Sequence, residues 1–269
     1  IYDPVKNRIS NLRIDGQSGN TVEFWLKKDA FVASAKTDRE VIFDAWTLDY
    51  VSGSTDAKTH GNSHARFRIE LDSEVSSGSP WRVTYISGSD NGFIDHLIGD
   101  TTKSSVADGK WHHYAFSLLH TSSSLACSMY VDGQLNDHKE VTVSNFGSVD
   151  TNIVATIGAL GTKKSVTGTA TLGWGKLSGS IDEFRFWKKS RTPKDIGRNW
   201  FLPINGGTNT FLKNPADLGV YYKFNEGITL TSSTDAKVLD YSGRVTNGLF
   251  VGYGDSSRST TSAITDSGI

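Results

Sequence analysis

The sequence predicts an all-β chain: a two-sheet antiparallel jelly-roll β-sandwich with one short helix near its C-terminal end. Three observations predict it. Apolar and polar residues alternate in many short stretches, which is the period of a half-buried strand. Glycine supplies 27 of the 269 residues against 5 prolines, and the glycines fall between those stretches, as turns would. Seven Trp, 13 Phe and 9 Tyr give a core too aromatic for a solvated chain.

The strands follow in order. Val22-Glu23-Phe24-Trp25-Leu26-Lys27 reads as the first and residues 40–46 as the second. Residues 65–72 hold the cleanest alternation, with Ala65, Phe67, Ile69 and Leu71 on one face and Arg66, Arg68, Glu70 and Asp72 on the other. Residues 81–87 give the next strand. Residues 111–119 and 126–131 follow, joined by the polar stretch 120–124. Asp132-Gly133 is a strong two-residue turn signal, and it sends residues 134–143 back alongside. Residues 152–157 and 180–187 close the set. The helix begins at Thr192-Pro193-Lys194-Asp195, an N-cap threonine, a proline at the first helical position and an acid in the first turn, and it runs to about Trp200.

Composition excludes several classes. A single cysteine, Cys127, forbids an intramolecular disulfide, and its alternation with Met129 and Val131 places it in the core. A net charge of −1 provides no basic field for nucleic acid. No apolar run approaches the ~20 residues of a membrane span. The first residue is Ile1, and the chain is read as one piece of a longer protein. Residues 1–202 form the expected jelly roll and 203–217 a linker or long loop. Residues 218–269 are either a partial second unit or strands returning to the first sandwich, with a polar, poorly ordered tail from 254.

Three blocks carry a resemblance. They are Gly109-Lys110-Trp111-His112-His113-Tyr114-Ala115-Phe116, Met129-Tyr130-Val131-Asp132-Gly133-Gln134-Leu135, and Gly179-Ser180-Ile181-Asp182-Glu183-Phe184-Arg185-Phe186-Trp187 with Arg191-Thr192-Pro193 after it. Their order and spacing resemble the laminin-G-like, concanavalin A-like lectin/glucanase family. The resemblance implies a two-sheet jelly roll that binds glycans or proteins, often through a calcium ion at the sandwich rim. Residues 218–227 and 238–248 are similar to the usual opening of such a module. Asp240-Tyr241-Ser242-Gly243-Arg244 within them resembles laminin-G-like segments of large bacteriophage structural proteins.

The chemistry-bearing residues divide by type. Glu70, Asp72 and Glu74 alternate along one strand, resembling the acidic strand of jelly-roll glucanases; a retaining glycosidase needs two carboxyls ~5–5.5 Å apart. Arg66 and Arg68 share their face, so the preferred reading is a solvated, paired surface. His112 and His113 point to opposite faces and cannot chelate one ion together. His113 is expected to turn inward and hydrogen-bond, and Asp132 and Gly133 to form a structural turn. Asp182, on the face of Phe184 and Phe186, is expected to latch onto backbone donors or onto the histidine strand. Asp90, Asn91, Asp95, Asp100 and Asp108 lie in loop-like sequence and are candidate Ca²⁺ ligands, with turn formation as the competing reading. Trp46, Trp81, Tyr85 and Trp174 are the candidate sugar-stacking aromatics. The expected function is a non-catalytic adhesion or assembly module on a virion surface or outside the cell, its rim loops meeting a glycan or a neighbouring subunit. A glycoside hydrolase and a purely structural spacer are the alternatives.

Overall fold

The computed structural model describes residues 11–31, 38–47, 65–87, 91–149, 153–160, 175–204, 217–226, 237–244, 246–252 and 262–264. Among these residues fifteen strands and two helices follow in chain order. The strands of the first half are β1 (Ile14–Asp15), β2 (Asn20–Lys27), β3 (Arg39–Thr47), β4 (Ala65–Asp72), β5 (Trp81–Ser87) and β6 (Asn91–Leu97). Helix α1 (Lys103–Val106) precedes β7 (Trp111–Thr121), β8 (Ser124–Val131), β9 (Gln134–Thr142), β10 (Ser148–Val149), β11 (Ile153–Ile157) and β12 (Ser180–Trp187). Helix α2 (Pro193–Asn199), β13 (Leu218–Tyr222), β14 (Lys237–Val238) and β15 (Gly248–Leu249) complete the set.

Two antiparallel sheets make the sandwich. One has five strands in the order β11-β3-β4-β5-β6, the other six in the order β13-β12-β2-β7-β8-β9. Period-2 alternation decides what lies between them. Ala65, Phe67, Ile69 and Leu71 of β4 and Val22 and Phe24 of β2 are all 0 % exposed, and burying each large side chain contributes about 1.5–3 kcal/mol. Trp81 enters this layer from β5, its ring 4.6 Å from that of Tyr114 and 5.3 Å from that of Phe116. Each sheet keeps an outer face, and those faces hold the polar chemistry.

The expected strands form, with three differences. Residues 91–97, read as loop, make the edge strand β6. The turn between β7 and β8 is only Ser122-Ser123, so both strands run further than the polar stretch suggests. A second helix, α1, opens on Thr102, whose hydroxyl accepts from the Ser105 amide. Helix α2 starts as expected, with the Thr192 hydroxyl accepting from the Asp195 amide at 3.2 Å. Strand β13 pairs antiparallel with β12, so this part of the C-terminal stretch returns to the first sandwich. Residues 262–264, within the expected polar tail, dock on β12 through Asp182. No helix among the described residues is long and apolar enough to cross a membrane.

Candidate functional site

The acids of β4 lie on the outer face of the five-stranded sheet, but that face is not solvated. Arg68, Glu70 and Asp72 are 7 %, 6 % and 7 % exposed. Alternation along a strand tells which face a residue takes, and nothing about what covers that face. Arg66 and Arg68 reach Asp44 of β3 at 2.7 and 3.3 Å, and Arg68 reaches Glu70 at 3.3 Å. Asp72 is held by Arg39 at 3.4 Å and Arg82 at 3.1 Å. Burial raises the Glu70 carboxyl above its ordinary range, and Arg68 offsets only part of that. Glu74 is off the ladder: β4 ends at Asp72, and Glu74 sits exposed in a turn whose amide donates to the Asp72 carboxylate. The three acids therefore form no open carboxylate set.

The six-stranded sheet carries a second polar layer on its outer face. Helix α2 covers this face over β7–β9, with Ile196 packed on Ala115 and Tyr130, and Trp200 extends the cover to β2, its ring 5.3 Å from Trp25 and 6.0 Å from His113. Beneath them Glu23, 0 % exposed, meets Arg191 at 2.8 Å, His113 at 3.6 Å and Arg185 at 3.6 Å. Glu183 joins Arg185 at 3.1 Å and accepts from the Tyr221 hydroxyl. His113 is buried, but on the outer face beneath Trp200 and not turned into the core as expected, and its ring nitrogens make no hydrogen bond among the described residues. Burial holds it below the ordinary histidine range despite Glu23. Its backbone amide donates to Asp132 at 2.8 Å.

Asp132 also takes His112 Nδ1 at 2.7 Å, while Asp108 takes Nε2 at 3.2 Å. Burial would lower His112, but the two carboxylates raise it. Gly133, at φ +77°, lies under Trp200 with no room for a Cβ. Asp182 accepts from the amides of Glu183 and Ala263, both at 2.9 Å, and from Ser262 Oγ at 3.1 Å. Its partners are a neighbouring amide and residues 262–263 rather than the histidine strand, and a register shift at Glu183 (φ 51°) puts it cross-strand from Trp25, off the face of Phe184 and Phe186. These residues hold strands, turns and termini together.

The described calcium candidates do not converge on one point. Among the described residues no three His, Cys, Asp or Glu come together as a ligand set. Asn91 and Asp95 belong to β6 instead of a loop, and Asp95 is taken by Arg39 at 2.8 and 3.1 Å. The Asp100 amide donates to Asn136, Asp108 clamps His112, and Asp90 lies outside the described residues. Two of the stacking candidates are core residues: Trp81 and Tyr85 are both 0 % exposed. Tyr85 stacks on Phe146 at 4.7 Å and donates to Asn20 Oδ1 at 2.7 Å. Their positions near predicted strand ends gave no sign of the partner sheet above them. Trp46 is half-buried on the outer face of β3, cross-strand from Arg66. Trp174 lies outside the described residues.

Where α2 stops covering the six-stranded sheet, a groove of about 880 Å³ opens. Its floor is Ser117 and Leu119 of β7 with Ala126, Ser128 and Tyr130 of β8. Small side chains at Ser117, Ala126 and Ser128 make the depth. His138 of β9 borders it, bonded to Ser128 at 2.8 Å. The walls are residues 188–193, which follow β12, together with Arg13, Gln17, Ser18, Asp217 and Arg244. Hydroxyls, an imidazole and cations thus line an open trough. None of these residues was singled out from sequence as ligand-binding. The run Lys188-Lys189-Ser190-Arg191 directly after the third family-like block was the available signal.

Comparison with known proteins adds the following. The model of the concanavalin A-like lectin/glucanases superfamily matches residues 6–197. No curated protein sequence matches the chain. Among solved structures, a Bacteroides ovatus protein described as carbohydrate-binding aligns with 86 % of this chain at 18 % identity and a TM-score of 0.47. The chain spans about half, 51 %, of that protein. The SAP-like pentraxin of Limulus polyphemus aligns at 14 % identity and a TM-score of 0.36, covering 69 % of this chain and 70 % of its own. Domains LG4-5 of the mouse laminin alpha1 chain align at 13 % and 0.37, covering 71 % and 46 %.

Proposed function

Because this chain belongs to the concanavalin A-like lectin/glucanases superfamily, we propose that it is a non-catalytic binding module whose ligand is a glycan. The observation that carries this reading is the open groove on the six-stranded sheet, floored by Ser117, Ala126, Ser128 and Tyr130. In this reading the ligand meets this sheet face, where the sequence had pointed to the rim loops. The non-catalytic part rests on β4, where Asp72 is pinned between two guanidinium groups and Glu74 has left the strand. As the wider setting we propose a virion-surface or extracellular protein. That rests on the likeness of Asp240-Tyr241-Ser242-Gly243-Arg244 to bacteriophage structural segments, and the intact reading frame tests it.

The binding reading is tested by a glycan array followed by calorimetry on the best saccharide. Ala126 is on the floor and outside the core, so Ala126→Trp fills the groove with little effect on packing. The expected result is saccharide binding by the wild type and its loss in Ala126→Trp at an unchanged melting temperature. Binding that survives Ala126→Trp, or no binding by the wild type, overturns the proposal.

A further inference from the structure

The walls of the groove are unevenly charged. Arg13, Lys188, Lys189, Arg191 and Arg244 line it, and Asp217 is the one carboxylate among the described lining residues. Most of these cations are already engaged. Arg191 bonds Glu23 and lies 4.1 Å over the Trp187 ring. Arg13 is fixed by Asp15 at 3.1 Å and by Ser148 at 2.9 and 3.2 Å, and Arg244 donates Nε to the Leu218 carbonyl at 2.9 Å. Lys189 lies 3.9 Å from Asp217.

Lys188 is different. It is half-buried, and its ammonium has no hydrogen-bond or ion-pair partner among the described residues. Burial lowers its affinity for the proton, Arg244 and Arg13 lower it further, and Asp217 restores only part. A half-buried ammonium facing two anchored guanidinium groups is costly to hold, and an arriving anion removes that cost.

Resting on the glycan reading above, we infer that the groove takes an acidic saccharide, with a sulfate or carboxylate group set against the Lys188 ammonium between Arg13 and Arg244. The neutral hydroxyls of the sugar then face Ser117, Ser128 and His138 along the floor. Sulfate and carboxylate share this chemistry, and separate probes distinguish them.

The experiment is calorimetry on the full chain with four probes: a dextran sulfate oligosaccharide, an oligogalacturonate, a neutral dextran of equal length, and polyglutamate. The variants are Lys188→Met, which keeps the aliphatic stem, and Lys110→Ala, which removes an equal charge at the other end of β7. Lys188 donates its backbone amide to the Asp217 carbonyl, which the variant keeps along with the stem, and the Lys110 side chain is exposed, so both variants are expected to fold. The expected result is that one or both acidic saccharides bind more tightly than dextran. Lys188→Met should weaken them about tenfold or more, and Lys110→Ala should not. The inference is overturned by equal loss in both variants, by polyglutamate binding as tightly, or by no acidic saccharide binding. If dextran binds and Ala126→Trp abolishes it while acids gain nothing, the glycan reading stands and the acidic one falls. If no saccharide binds, both fall.

Discussion

Burial alone would raise the Glu23 carboxyl, but Arg191, then His113 and Arg185, outweigh it and bring its pKa from 4.5 to about 2. A carboxylate depressed on folding stabilises the native state above its unfolded pKa, and that stability is lost as pH falls through the folded value. The window for Glu23 is therefore pH 4.5 down to about 2, worth on the order of 3 kcal/mol. His113 acts in the same direction from a higher pH, because its folded pKa is lowered and the unfolded chain binds its proton first. Glu23→Gln is expected to be less stable at neutral pH and to show a flatter decline across that window. Urea unfolding at pH 7, 4.5 and 2.5 measures both, and parallel declines would mean the Glu23 charge is not coupled to folding.

At the scale of elements, the β8–β9 turn and helix α2 depend on one another. Gly133 and Gly78 both have positive φ, +77° and +82°, so alanine strains each backbone by about 1 kcal/mol. The Gly78 Cβ position is open, whereas a Cβ on Gly133 would enter the Trp200 ring. That ring closes the cover over His113 and Trp25. Gly133→Ala is expected to cost about 1–3 kcal/mol more than Gly78→Ala. Thermal unfolding of the two variants gives the difference, and equal losses would show that Trp200 moves aside freely.

For the molecule as a whole, what the sequence made legible follows from what periodicity encodes. Strands β2, β4, β5 and β12 were readable because a buried inner face forces alternation. Helix α2 was readable from Thr192 and Pro193. Strand β6 was not, because Asp90-Asn91-Gly92 reads as a turn; Gly92 in fact serves close approach to the Tyr85 carbonyl, where no Cβ fits. Glu70 and Arg68 were placed on the right face and given the wrong exposure. The groove was invisible for a topological reason. Arg13, Ser117, Ser128, Lys188 and Arg244 are scattered along the chain, and only the order β13-β12-β2-β7-β8-β9 and the half-covering by α2 gather them.

Cys127 makes the sandwich its own clock. The thiol projects between the sheets, 0 % exposed, and burial pushes its pKa far above the ordinary range, so it offers no thiolate while the sheets stay closed. Its labelling rate therefore counts openings of the whole core rather than local fraying. Iodoacetamide is expected to leave the native chain unmodified over hours at neutral pH and to label it in step with urea unfolding. Prompt labelling without denaturant would mean that β7 and β8 part from the opposite sheet on their own. With a single cysteine in the chain, no intramolecular disulfide competes with the label, and a bound ligand would register as a slower tick.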